Sequence, residues 1–294
     1  MKVQAQRVAW KLRQVLFANR RRRTAIIRTV VILCIFPILL QIFLAYIVGN
    51  RNGLAPLGLT QAKNVLLVTA HPDDECLFFA PSVLALLAAY PSMQGALLVL
   101  STGNNYGLGE IRNAELKGSC QALGIDPTRC LAKDHPDLQD NPKEWWQKET
   151  IQEVVMKQAK LWNIDTIITF DDGGVSGHIN HRAISSALQH YARTNRSAVP
   201  VFELVTTSLI RKYTFLWDLP LTTLLFLARN GATSTTAPGA GASPGAEGLI
   251  VSTWSQYRAT RAAFASHASQ YTWDRNLYMI LSRYVWFNTL RKVG

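Results

Sequence analysis

The longest apolar run comes early. "VVILCIFPILLQIFLAYIV", Val30 to Val48, carries no charge and approaches the ~20 residues that cross a bilayer core. Pro37 and Gln41 are compatible with a membrane helix. From Asn64 the pattern changes, and short continuous apolar runs alternate with longer amphipathic ones. "NVLLVTA" predicts a buried strand, and "ECLFFAPSVLALLAAY" a helix in spite of Pro81. "GALLVLS" predicts a second strand, and "LGEIRNAELKGSCQAL" an amphipathic helix ending at Gly124. "RCLAK" reads as a short strand, "KEWWQKETIQEVVMKQAKLW" as a long helix and "DTIITF" as a strand. "NHRAISSALQHYART" then predicts a helix, and "PVFELVTT" a last strand. Alternating elements of this size predict an α/β domain, a mostly parallel sheet with helices on both faces. Its connections should be right-handed.

The chain therefore divides into a basic arm over 1–29, a transmembrane helix over 30–48, a linker over 49–63 and a catalytic domain over 64–294. Two later segments depart from the alternation. "FLWDLPLTTLLFLA", Phe215 to Ala228, is apolar but short for a span, and either lies at a membrane surface or packs on the core. "GATSTTAPGAGASPGAEG", Gly231 to Gly248, has the composition of a low-complexity insertion without a catalytic part. The aromatic segment "YTWDRNLYMILSRYVWF" predicts a helix that covers the core.

Charge changes the picture at one end only. Nine of the basic residues, Lys2 to Arg28, precede the apolar run with no acid among them, so a net charge of +12 leaves about +3 for the rest. The basicity is a flank of the membrane helix rather than a nucleic-acid-binding face, and no nucleic-acid partner is expected. A cleaved signal peptide has a shorter basic region and an apolar core of ~7–15 residues, so a single N-terminal anchor is the better reading. Cys34, Cys76, Cys120 and Cys130 form no C-x-x-C pair, and buried free thiols are expected, in keeping with a reducing compartment.

Candidate chemistry gathers in two loops. In open α/β sheets, ligands bind at the carboxyl ends of the strands. "LLVTAHPDDECLFFAPS" places His71, Asp73, Asp74 and Glu75 directly behind the first strand. "FDDGGVSGHINHRA" places His178 and His181 behind "DTIITF" at the opening of a helix, where their i, i+3 spacing lets both face one side. Three of the six histidines of the chain lie in these loops. Histidines and carboxylates from separate strand ends suit a divalent metal such as zinc with an open coordination position. Glu75 reads first as a helix-start residue. Asn104 and Arg112, near the same rim, are candidates for contacts with a substrate. "DHPDLQDNP" echoes the first motif at His135-Pro136-Asp137 but lacks the second acid and predicts a turn.

"AHPDDE" followed about a hundred residues later by "GVSGHINH" resembles the zinc-dependent de-N-acetylases of the PIG-L/LmbE family. With the anchor and "STGNNYGLGEIRNAEL", the chain is similar to the eukaryotic branch of that family. The resemblance covers roughly Asn64 to Thr207. It implies a Rossmann-like, LmbE-like sheet and removal of acetyl from N-acetylglucosaminyl-phosphatidylinositol in GPI-anchor synthesis. It implies His71, Asp74 and His181 as ligands of Zn2+ or another divalent metal, Asp73 as general base, and His178 as the residue that stabilises the oxyanion. Some relatives carry an acid within the H-x-x-H segment that tunes its first histidine; here Asn180 stands there, with Asp171 and Asp172 as possible substitutes. The expected partners are a membrane glycolipid and the bilayer, with protein partners open. Deacetylation of another N-acetylglucosamine conjugate and an inactive membrane scaffold are the alternatives. The resemblance implies an endoplasmic reticulum membrane protein with its catalytic domain on the cytoplasmic face. The basic arm, by the positive-inside rule, points that domain to the lumen instead.

Overall fold

Every residue from Val65 to Thr69 is buried, because the strand they form lies in the middle of a sheet covered on both faces. The computed structural model describes Trp10 and residues 20–49, 54–104, 107–141, 143–195, 198–233 and 246–294. The strands are β1 (Asn64–Thr69), β2 (Gln94–Val99), β3 (Cys130–Ala132), β4 (Thr166–Phe170), β5 (Val201–Leu204), β6 (Glu247–Val251) and β7 (Phe287–Lys292). They form one sheet in the order β3-β2-β1-β4-β5-β7-β6. β1 to β5 pair in parallel, while β7 runs antiparallel to both β5 and β6. The mostly parallel Rossmann-like sheet is thus present, with a mixed edge.

The longer helices are α1 (Arg20–Ile42), α2 (Ala80–Ala89), α3 (Gly109–Ala122), α4 (Lys148–Leu161), α5 (Ile179–Thr194), α6 (Leu219–Thr233), α7 (Trp254–Ala265) and α8 (Trp273–Leu281). Side chains alternate across a strand, so β1 feeds two cores. Val65 and Leu67 join the core beneath α2, α3 and α7. Leu66 and Val68 join Ile151 and Val155 of α4 and Ile184 and Leu188 of α5 on the other face. Consecutive chain segments leave β1 toward β2 on one side, while β4 lies on the other. This switch point opens a crevice at the carboxyl ends of β1 and β4.

α1 continues as a wider turn over Phe43–Val48. Arg22–Val48 is long and apolar enough to cross a membrane, its apolar 18-residue stretch having a mean hydropathy of 2.8. Residues 22–36 are exposed, whereas Pro37, Gln41, Leu44 and Ala45 are buried against the domain. Most of the basic arm lies outside the described residues, as do residues 50–53 of the linker and 234–245 of the low-complexity tract.

Several expectations need correction. The helix predicted over Lys143–Trp162 begins only at Lys148, because Trp146 is drawn into the core, its Nε1 donating to the Gln139 carbonyl at 3.0 Å. β5 is not the last strand. The C-terminal segment read as one helix holds α8, a tight turn at Arg283–Val285 and then β7. Residues at the borders of the low-complexity tract belong to α6 and β6. Cys120 and Cys130 are not free but form a disulfide. The reversal at Gly124, with φ +78°, folds the end of α3 back over the start of β3 and brings the two together. Cys34 and Cys76 are free, Cys76 buried as expected and Cys34 exposed.

Candidate functional site

β1 ends at Thr69, and the chain turns at once. Asp73 has φ 120°, a conformation that favours glycine and costs about 1–3 kcal/mol for any other residue. The turn is held by its neighbours. The Asp73 carbonyl accepts from the N–H of Cys76 and of Leu77, and its own N–H donates to Glu75 Oε2 at 3.0 Å. Glu75 is fully buried. Its Oε1 accepts from Ser119 Oγ at 2.5 Å and lies 2.6 Å from Nε2 of His267, which is fully buried too. Burial alone would raise the Glu75 pKa, but His267, Ser119 and the Asp73 N–H together lower it. Gln270 ties the turn from outside, donating to the Pro72 carbonyl at 3.0 Å. Glu75 is therefore more than a helix-start residue: it is the internal brace of the turn.

The brace leaves Asp73 and Asp74 free to face the crevice. Asp74 Oδ2 accepts from the N–H groups of Ala70 (3.1 Å) and His71 (2.8 Å) and lies 3.3 Å from His181 Nε2. Burial opposes its ionisation, yet His181 and His71 hold its pKa well below the usual carboxylate range. Burial, and then Asp74, push the Asp73 pKa up to about 7.

The second loop follows β4. Asp171 organises it, its carboxylate accepting from the N–H groups of Gly173 (3.1 Å), Gly174 (3.2 Å) and Thr206 (2.6 Å) and from the Thr206 hydroxyl. Gly174 adopts φ +57°, and a Cβ there would meet that of His181 at 2.9 Å, so glycine is required. His181, in the first turn of α5, is fixed twice. Its Nδ1 lies 3.0 Å from the Gly174 carbonyl, and its ring stacks on Phe170 with centroids 4.0 Å apart. The Nδ1–H donates there, which leaves Nε2 as the nitrogen that faces Asp74. That nitrogen is buried and has no hydrogen-bond partner. His178 caps α5, its Nδ1 accepting from the Asn180 N–H at 3.4 Å. Burial, with His181 and His71, pushes its pKa down to about 4, so the imidazole is neutral.

The two loops meet as the sequence predicts. Ring nitrogens of His71, His178 and His181 lie within 4.8 Å of one another, and Asp73 and Asp74 line the same cavity. A buried His181 Nε2 without a hydrogen-bond partner, 3.3 Å from the Asp74 carboxylate, is an arrangement a cation would satisfy. His71 completes it, with Nδ1 3.8 Å from Asp74 and Nε2 3.2 Å from Asp140. Burial lowers the His71 pKa, but Asp140 and Asp74 outweigh it and raise it.

Other expectations fare less well. Neither Asp171 nor Asp172 tunes His178. Asp171 is occupied by its own loop, and Asp172 is exposed beside Arg182. Asn180 instead places its amide 3.1 Å from His71 Nε2. Asn104 is exposed, and its Oδ1 accepts from the Gly109 N–H at 2.9 Å, closing its own turn. Arg112 does line the cavity, with a buried Nε that has no partner. His135 closes a turn as expected, accepting from the Asp137 N–H. The same loop carries Asp140, which the sequence reading missed. So are Lys212, Gln270, Arg275 and Tyr278, which come from beyond β5 and complete the cavity wall. Lys212 is buried against the rings of Phe78, Tyr213 and Tyr278, and burial, then Arg275, lower its pKa to about 8.

Comparison with known proteins agrees with this geometry. The family described as PIG-L, GlcNAc-PI de-N-acetylase, matches residues 66–192, which contain both loops. A Bos taurus protein named N-acetylglucosaminyl-phosphatidylinositol de-N-acetylase is 38% identical over 230 residues, covering 78% of this chain and 83% of its own. A Saccharomyces cerevisiae protein of the same name is 32% identical over 244 residues, covering 76% and 79%. Among solved structures, a deacetylase of the teicoplanin biosynthetic pathway superposes with a TM-score of 0.51 over 79% of this chain and 98% of its own. At 12% identity that likeness is one of fold. With the paired loops at adjoining strand ends and relatives matched over most of both chains, this chain belongs to the PIG-L family of de-N-acetylases.

Proposed function

We propose that the chain is a membrane-anchored, zinc-dependent hydrolase that removes acetyl from N-acetylglucosaminyl-phosphatidylinositol, giving acetate and glucosaminyl-phosphatidylinositol in GPI-anchor synthesis. The observation that carries this reading is the partnerless, buried His181 Nε2 facing Asp74, with His71 beside them and Asp73 free on the same turn. His71, Asp74 and His181 would hold the ion. When bound, it supplies a lowered pKa for water and polarises the acetamide carbonyl.

The other residues act on protons and charge. Asp73, outside the ligand set, accepts the proton of the attacking water. The water oxygen bonds to the acetyl carbon, and that proton passes to the departing sugar nitrogen as the C–N bond breaks. His178 accepts the Asn180 N–H at Nδ1, so its Nε2 carries a hydrogen. That N–H donates to the carbonyl oxygen as it gains charge. Arg112, Lys212 and Arg275 give the cavity wall three cations for the substrate phosphate. An α1 that spans the membrane confines enzyme and lipid to one surface.

Acetate release from the defined lipid, with and without a chelator, tests the chemistry. Release that survives full metal removal, or none from metal-loaded protein, would overturn it. Activity on soluble N-acetylglucosamine conjugates alone would change the substrate. We place the enzyme in the endoplasmic reticulum membrane, with the domain facing the cytosol. Two reporters check the face. Cytosolic thiol buffers would open the Cys120–Cys130 disulfide, so on that face both cysteines should label with maleimide in unreduced, denatured cell extracts. Asn195-Arg196-Ser197 is a glycan acceptor sequon and should stay unmodified. An intact disulfide with a glycan at Asn195 would put the domain in the lumen.

A further inference from the structure

The part of α1 that stands clear of the domain is too short to span. Residues 22–36 are exposed; at 1.5 Å per residue they cover roughly 22 Å, against a hydrocarbon core of ~30 Å. A crossing must therefore include residues beyond Pro37, and these are the ones packed on the domain. Gln41 Nε2 donates to the Ser252 carbonyl at 2.5 Å, and the Tyr46 hydroxyl accepts from the Trp254 N–H at 3.0 Å. The tight turn at Phe215–Asp218, α6 and β6 pack against this stretch. Whatever touches the lower end of the span lies at membrane depth.

α6 is built for that position. Leu216, Leu219, Thr222 and Phe226 are buried, while Trp217, Leu221, Leu224 and Leu225 project outward at i, i+4, i+7 and i+8, one helical face. The same spacing recurs on α8, where Trp273, Leu277, Ile280 and Leu281 are exposed, Trp273 at 80%. Leu209 and Ile210, just ahead of Arg211, are exposed at 72% and 79%. Helices of 15 and 9 residues are too short to cross, but they have the apolar face and tryptophans of interfacial helices.

The three segments are fastened together underneath. Buried Asp218 binds Arg211 and Arg283, and Thr222 donates to it at 2.9 Å. Tyr213 meets Tyr278 edge-on at 5.9 Å. The inner side of this shelf is the cavity wall itself, Lys212, Tyr213, Arg275 and Tyr278.

We infer that the outward faces of α6 and α8, with Leu209 and Ile210, form a second membrane contact. It seats in the interfacial layer of the bilayer and holds the cavity mouth against the headgroups. A glycolipid headgroup can then enter between the cations of the cavity wall while its acyl chains stay in the membrane. This inference rests on reading α1 as a span, with which the shelf is continuous.

The test uses the full chain with Cys34→Ala, reconstituted in phosphatidylcholine vesicles. A single environment-sensitive fluorophore is placed at Leu224→Cys, Leu277→Cys, Ile32→Cys or Leu161→Cys. Ile32 lies in the exposed part of α1, and Leu161 is an exposed residue of α4 on the opposite face of the sheet. Labels at 224 and 277 should be quenched by lipids brominated on the acyl chain and shielded from aqueous iodide, several-fold relative to 161. If 32 is quenched by bromolipid while 224 and 277 are as open to iodide as 161, the shelf does not touch lipid and the inference fails alone. If 32 also escapes bromolipid, α1 does not span and the parent reading fails. Labels at 224 and 277 open to iodide in pure vesicles yet shielded in native membranes would assign the face to a protein partner and overturn the lipid contact.

Discussion

Asp74 and Glu75 are adjacent, both are buried carboxylates, and each lies beside a histidine. Their surroundings make them opposites. Glu75 is saturated, with the Asp73 N–H, Ser119 and His267 filling its oxygens, and its cluster has no room for a chemical task. Asp74 faces a nitrogen that no protein atom satisfies, in a cavity open to substrate. Buried polar groups are normally paired, so the unpaired member marks the working cluster and the paired one the support. Burial and charge alone would have ranked the two alike.

That contrast can be broken in order of effect. His181→Ala removes the partnerless nitrogen and should abolish bound metal and acetate release together, by elemental analysis and product assay. A variant that kept its metal would mean that the ion sits elsewhere. Asp73→Asn should keep the metal and lower turnover by about 10²–10⁴-fold, the usual worth of a general base. His178→Ala should also keep the metal and lose about 10²–10³-fold in kcat, one oxyanion donor's worth. Metal loss in this variant would make His178 a ligand.

His267→Ala sharpens the other side. It leaves Glu75 buried and unpaired, at a cost of about 3–5 kcal/mol in stability. The melting temperature should fall by roughly 10 °C, while the folded protein keeps its metal stoichiometry. The pH dependence has a definite sign. Burial opposes the His267 charge, but Glu75 raises its pKa overall, so this contribution is complete below the ordinary imidazole value and fades as pH rises through the raised one. Glu75 is depressed, so its share is complete above the ordinary carboxylate value and fades as pH falls through the lowered one. The stability gap between wild type and His267→Ala should be widest between about pH 4.5 and 6.5 and narrow on either side, as urea titrations would show.

The sequence displays the working cluster more openly than its support. His71, Asp73, Asp74, His178 and His181 stand directly behind apolar runs whose double burial makes them unmistakable strands. Asp140 sits in an aperiodic loop, and nothing local says that its carboxylate reaches His71 across the crevice. His267 is 192 residues from its partner, and Lys212 and Arg275 come from segments whose direction depends on tertiary packing. The mixed edge was hidden for a related reason. "FNTLRK" lacks the continuous apolar run of a central parallel strand, and β7 becomes a strand because the open sides of β5 and β6 receive it. The disulfide depends on how one helix end folds over one strand, which spacing does not reveal.

The order of that edge has a consequence for biogenesis. β6 precedes β7 in the chain but lies outside it in the sheet, so β6 has no place to pair until residues 287–292 arrive. The stretch of α1 that would leave the translocation machinery first grips residues just after β6, through Ser252 and Trp254. Residues 41–46 and 252–254 must therefore meet from more than two hundred positions apart, a contact of high sequence separation that slows folding. Until β7 arrives, β5 presents an open, apolar edge, the kind of edge that invites intermolecular pairing. A nascent chain stalled or truncated before Phe287 would keep both catalytic loops and still be handed to quality control.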